Sequence, residues 1–93
     1  MTFEWDARKA AANLNKHAIA FEDAATVFLD PLATTFPDPD HSTGERREIT
    51  IGYTIKGQLV FVSHCERRKR VRIISARPAT RTEREQYEEG ING

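Results

Sequence analysis

The sequence predicts an α+β domain in which two short helices lead, three or four antiparallel strands follow, and one helix closes the chain. Three observations carry that expectation. A capped, alanine-rich segment and an amphipathic one come first, apolar residues alternate at strand spacing from residue 46 onward, and the strand-like runs are joined by turns too short for crossovers. This order predicts helices laid on one face of a sheet. With 93 residues and 39% hydrophobic content the chain can bury one modest core, so residues 1–93 are expected to form a single domain.

Each element follows from local chemistry. "FEWD" opens with a short extended segment, and Asp6 is the expected N-cap of a helix running to about Lys16, supported by four alanines and anchored by Trp5 and Leu14. In "AFEDAATVFLDP", Phe21, Ala24, Ala25 and Phe28 share one helical face, Glu22 and Asp23 sit at the positive end, and Pro31 lies beyond the exit. "LATTF" reads as an edge strand and "PDPDHSTG", residues 37–44, as a loop. "RREITIGYT" sets Ile49, Ile51 and Tyr53 against Arg46, Glu48 and Thr50, a half-buried strand with one face to the core. "IKGQ" supplies a glycine-containing turn, "LVFVSHCER" a central strand, "ERRKR" a second turn and "VRIISARPA" the last strand. Thr82 is the expected cap of a final helix, "EREQYEEG", that stops at Gly90.

Charge is balanced in total and separated along the chain. Residues 18–45 hold six acids and no Lys or Arg, whereas residues 66–84 hold eight cations against Glu66 and Glu83. Such a dipolar molecule attracts a polyanion in spite of its formal charge of zero. Cys65 is the single cysteine, which excludes an intramolecular disulfide. His17, His41 and His64 have no metal-ligand spacing, so neither a metal nor another cofactor is expected. "MTFEWDARKA" mixes acid and base and no apolar run reaches membrane-spanning length, so the cytoplasm is the expected compartment, with no membrane partner.

The combination of "FEWD", "KHAIAFEDAATVFLDP", "GERR", "IG", "HCERRKRVRIISARPAT" and "EREQY", in this order from Phe3 to Tyr87, resembles the BrnT family of type II toxin–antitoxin systems. The resemblance implies a small RelE-like ribonuclease toxin that cuts RNA and halts translation. It also implies a BrnA-like antitoxin that neutralises the toxin by direct contact in a hetero-oligomer, and that alone touches DNA, through its own binding domain. The chain departs from the family pattern at Ala18 and Ala20, where Gly and Ser are common, and at His64 and Cys65, where Tyr-Thr is common. Replacing that Ser removes the N-cap of the second helix.

RNA carries its own nucleophile, the 2′-hydroxyl, so cleavage without metal needs a base, an acid and cations that stabilise the phosphate as charge builds. Glu66 beside Arg67 at the end of one strand, with Arg72 and Arg77 on the next, offers a carboxylate and several guanidiniums. These four and His17 are the candidate catalytic residues. Lys16, Arg46, Arg68, Lys69 and Arg70 are the candidate RNA contacts. Regular alternation puts Arg72 and Arg77 on opposite faces, so they share a site only if the strand bulges. Plainer roles stand beside these: a helix-terminus contact for His17, core packing for His64, a surface ion pair for Glu45 and Arg46, and a solvated turn for Arg68 and Lys69. Two functions remain open at this point, a metal-independent endoribonuclease and a non-catalytic module that grips RNA or an acidic peptide.

Overall fold

The structure, a computed structural model, describes residues 1–38 and 46–92. Elements run β1 (Phe3–Trp5), α1 (Ala7–His17), α2 (Phe21–Ala25), a 3-10 turn (Thr26–Leu29), β2 (Thr34–Pro37), β3 (Arg47–Tyr53), β4 (Leu59–Arg67), β5 (Arg70–Pro78) and α3 (Arg81–Asn92). The strands form one sheet in the order β1-β5-β4-β3-β2. β2 to β5 are an antiparallel meander, and β1 adds in parallel to β5, with Phe3 opposite Val71 and Trp5 opposite Ile73. The sheet is therefore five-stranded and mixed, which corrects the expectation of three or four antiparallel strands. A strand of three residues is too short to show alternation, and its partner lies at the other end of the chain. Most of the expected 37–44 loop, with Asp40 and His41, and Glu45 beyond it, lies outside the described residues.

Asp6 caps α1 as expected, its Oδ1 accepting from the Arg8 and Lys9 backbone N–H groups at 2.8 and 3.1 Å. The expected anchor Leu14 is 52% exposed, and Asn13 is the buried residue of this helix. Its Nδ2 donates to the Ile19 carbonyl and its Oδ1 accepts from the Ala76 N–H, each at 3.0 Å. One amide thus clamps α1 to the outer edge of β5. A buried polar side chain is retained here because both of its ends are satisfied.

α2 is short, with Ala20 giving no side-chain cap, and it tightens into the 3-10 turn where the Thr26 hydroxyl donates to the Asp23 carbonyl at 2.6 Å. Phe21, Ala24 and Val27 are buried against Val60, Val62, Ile73 and Ala76. β3 alternates as expected, but Thr50 and Gly52 are its buried positions, while Ile49, Ile51 and Tyr53 are only half-buried on the other face. A Cβ at Gly52 would stand 2.9 Å from Val27 Cγ1, so only glycine lets the 3-10 turn approach this closely. Thr50 is kept inside by a chain of hydrogen bonds, Thr35 Oγ1 to Thr50 Oγ1 to His64 Nε2, each step 2.7 Å. Burial pushes the His64 imidazole pKa down.

α3 does not join the other helices. Its start is a reciprocal cap in which the Glu83 N–H donates to Thr80 Oγ1 at 3.1 Å and the Thr80 N–H donates to Glu83 Oε1 at 2.9 Å. Thr80, not Thr82, is the cap, and the helix runs past Gly90 to Asn92. It is tied to the sheet face opposite the core: Tyr53 donates to Glu88 Oε1 and Tyr87 to the Leu32 carbonyl, both at 2.7 Å. Helices therefore occupy both faces, and their arrangement departs from the RelE-like one expected.

Candidate nucleic-acid interface

β4 and β5 are joined by a two-residue turn, Arg68-Lys69, flanked by the pair Arg67 and Arg70. Both turn residues have positive φ, 52° and 67°, which matches a type I′ hairpin and favours Asn-Gly. Long L-residues held there cost of order 1–3 kcal/mol each. The turn therefore keeps two cations at the expense of stability.

Two open hollows flank this tip. One, of about 440 Å³, is lined by Glu4, Arg67, Arg68 and Arg70. The other, of about 500 Å³, is lined by Arg46, Glu48, Glu66, Arg68 and Lys69. Among the described residues none of Arg46, Arg67, Arg68, Lys69 and Arg70 forms an ion pair. Their charge is turned to solvent, where a phosphate can compete for it with water alone. Glu66 pairs across the sheet with Val71 and Arg67 with Arg70, so these neighbours point to opposite faces. The carboxylate is thus grouped with Arg46, Arg68 and Lys69, not with Arg67.

Arg72 and Arg77 do share a face. Ser63 pairs with Ser75 but His64 pairs with Ile73, leaving Ile74 as an extra residue in β5. That bulge brings Arg72 beside Cys65 and Arg77 beside Phe61, on the side away from the core. The two are nonetheless about 16 Å apart along the strand, and each is occupied. Arg72 Nη1 meets Glu4 Oε2 at 2.8 Å. Arg77 stacks 4.2 Å above the Phe61 ring and grips Glu83 with two bonds, of 2.8 and 2.9 Å. Hydrogen bonding to Arg77 holds the Glu83 carboxyl down at about 2.

His17 and Lys16 lie elsewhere again. They line a hollow of about 300 Å³ between α1 and β5 with Lys9, Ala12, Asn13, Ile74 and Ser75. The candidate residues therefore fall into three places: the hairpin tip, the occupied arginines on the outer face, and the α1 groove. Sequence reasoning missed Glu4, Glu48, Lys9 and Ser75. Lys9 had a readable signal, its seven-residue spacing from Lys16, which sets the two on one helical face. Glu83 could be read from the sequence as a structural partner of Arg77, and the Thr-x-x-Glu pattern that makes Thr80 the cap was readable too. Among the described residues no three His, Cys, Asp or Glu side chains converge to hold a metal ion.

Residues 5–83 match the model of a family described as ribonuclease toxin, BrnT, of type II toxin–antitoxin systems. The chain belongs to this BrnT family. A solved structure of the Brucella abortus ribonuclease toxin BrnT is similar in fold, with a TM-score of 0.69 over 87% of this chain and 99% of that one, at 24% identity. No curated protein matches. In this BrnT-family chain the basic hairpin is built by the segment "HCERRKRVRIISARP", which lies inside the matched region.

Proposed function

We propose that this chain is the endoribonuclease toxin of a type II toxin–antitoxin pair, acting on RNA without metal and so arresting translation. The observation that carries the reading is the hairpin tip: five cations that form no ion pair among the described residues, with Glu48 and Glu66 beside them, gathered at one strained turn of a protein with no net charge. Arg46, Arg68 and Lys69 hold the scissile phosphate and oppose the charge that builds on it. Glu66, in the same hollow, takes the proton of the 2′-hydroxyl as that oxygen attacks phosphorus. The bond to the 5′-oxygen breaks, a cyclic phosphate forms, and the leaving oxygen takes a proton from solvent, which the open hollow admits. Arg67 and Arg70 grip the flanking backbone. Arg72 and Arg77, engaged by Glu4 and Glu83, have positioning roles in this scheme.

A BrnA-like antitoxin would silence the protein in a hetero-oligomer by covering the same cations with acidic residues, leaving any DNA contact to the antitoxin. The competing reading is a module that grips RNA through the cations alone. Cleavage of single-stranded RNA in excess chelator, by the parent and by Glu66→Gln, separates them. The toxin reading expects cleavage that persists in chelator and falls about 100-fold in the variant, with binding retained. Cleavage that appears only on adding a divalent metal refutes metal independence, and parental cleavage by Glu66→Gln refutes the assigned base.

A further inference from the structure

The hollow between α1 and β5 differs in kind from those at the tip. Each hairpin hollow contains at least one carboxylate, whereas this one is lined by Lys9, Lys16 and His17 with no acid among them. Lys9 and Lys16 form no ion pair among the described residues. Their seven-residue separation spans about 10 Å of helix. The opposite wall is the bulge, Ile74 and the exposed Ser75, on the stretch of β5 that β1 leaves without a strand partner. The Asn13 clamp to Ala76 fixes the distance between the walls. A largely apolar groove with two lysines and a histidine, and no acid among its lining residues, therefore lies at the sheet edge, about 16 Å from the hairpin tip.

We propose that this groove is a second anion subsite that holds the sugar–phosphate backbone of a single RNA strand whose other contact is the hairpin. The inference rests on the ribonuclease reading and adds the course of the substrate: from Lys69 and Arg70 across β1, which fills the β5 edge at Val71–Ile73, to Lys9 and Lys16. The two lysines, about 10 Å apart along α1, can contact phosphates of one backbone, so the substrate class proposed is single-stranded RNA long enough to reach both places. Ser75 and His17 then face the backbone between the two lysines.

The test measures affinity against salt for a 2′-O-methylated single-stranded oligonucleotide, which keeps the phosphates and lacks the nucleophile. Four proteins are compared: the parent, the groove pair Lys9→Gln/Lys16→Gln, the hairpin pair Arg68→Gln/Lys69→Gln, and the control pair Lys56→Gln/Arg81→Gln. All these side chains lie on exposed surface, and thermal melts confirm folding. Each lost phosphate contact should lower the logarithmic salt slope by about 0.7, so the groove and hairpin pairs should each lose about 1.4 and the control nothing. An oligonucleotide too short to span both places should make the groove pair indistinguishable from the parent. A parental slope in the groove pair with a reduced slope in the hairpin pair overturns the subsite and leaves the ribonuclease reading standing. Parental slopes in both overturn both. An equal drop in the control pair shows an effect of total charge and also overturns the subsite.

Discussion

At Ala18 the backbone turns left-handed, φ 57° and ψ 29°, so that its N–H can close α1 on the Leu14 carbonyl at 2.9 Å. An L-residue there crowds its Cβ against the carbonyl, and glycine does not. Ala18→Gly should raise stability by about 1 kcal/mol, read as a higher melting temperature; an unchanged or lower one would contradict the strain. Glu83 makes a second residue-scale case, since one carboxylate both caps α3 and neutralises Arg77. Its pKa is lowered from 4.5 to about 2, so the stability it gives is complete above 4.5 and is lost as pH falls toward 2. Glu83→Gln should flatten the stability profile across that window. At neutral pH it should cost about 1 kcal/mol, because the Arg77 side chain is 44% exposed and solvent screens the pair. A profile in acid with the parental slope would show that the pair is not formed in solution.

The β4–β5 hairpin sets stability against charge. Arg68 and Lys69 occupy positive-φ positions where Asn-Gly would relax the backbone. Arg68→Asn/Lys69→Gly should therefore raise the melting temperature while cutting RNA cleavage about 10-fold or more, since two phosphate contacts go with the strain. A variant that is stabilised and still fully active would show that the turn's cations serve solubility alone. The same turn sets the two faces of the hairpin, placing Glu66 with Arg46 on one side and Arg67 with Glu4 on the other. Across the molecule, α3 engages the Arg77 guanidinium through Glu83.

Over the whole chain, residues 18–45 hold six of the fourteen acids and no Lys or Arg, and residues 66–84 hold eight of the fourteen Lys and Arg. α2, with Glu22 and Asp23, and the 3-10 turn cover the core face, while the basic hairpin projects from one end of the sheet. Under the proposed function a polyanion is steered to that end, and its binding releases counterions. With four or five phosphate contacts at the tip, raising salt from about 50 to 200 mM should lower the second-order cleavage rate about 50- to 130-fold. A rate insensitive to salt would remove the hairpin from substrate binding.

Periodicity, caps and turn residues were enough to place α1, the edge strand β2, the three central strands and their hairpins, because each is set by neighbours in sequence. Asp6 could be read as a cap, and Gly57 as a turn residue, from chemistry within a few residues. The basic segment around residues 66–72 was legible in the same way, since charge needs no fold to be counted. What the sequence could not decide was set by partners far along the chain. β1 is a strand because β5 offers it an edge. Thr50 and Gly52 turn inward because Val27 and His64 wait there, and this sends Ile49 and Ile51 to the other face. Arg72 and Arg77 come onto one face because β4 and β5 slip by one residue at Ile74, and they are then occupied by Glu4 and Glu83, acids from the two ends of the fold. Composition determined that this protein would present concentrated positive charge; tertiary pairing determined which of those charges are engaged by acids, Arg72 by Glu4 and Arg77 by Glu83.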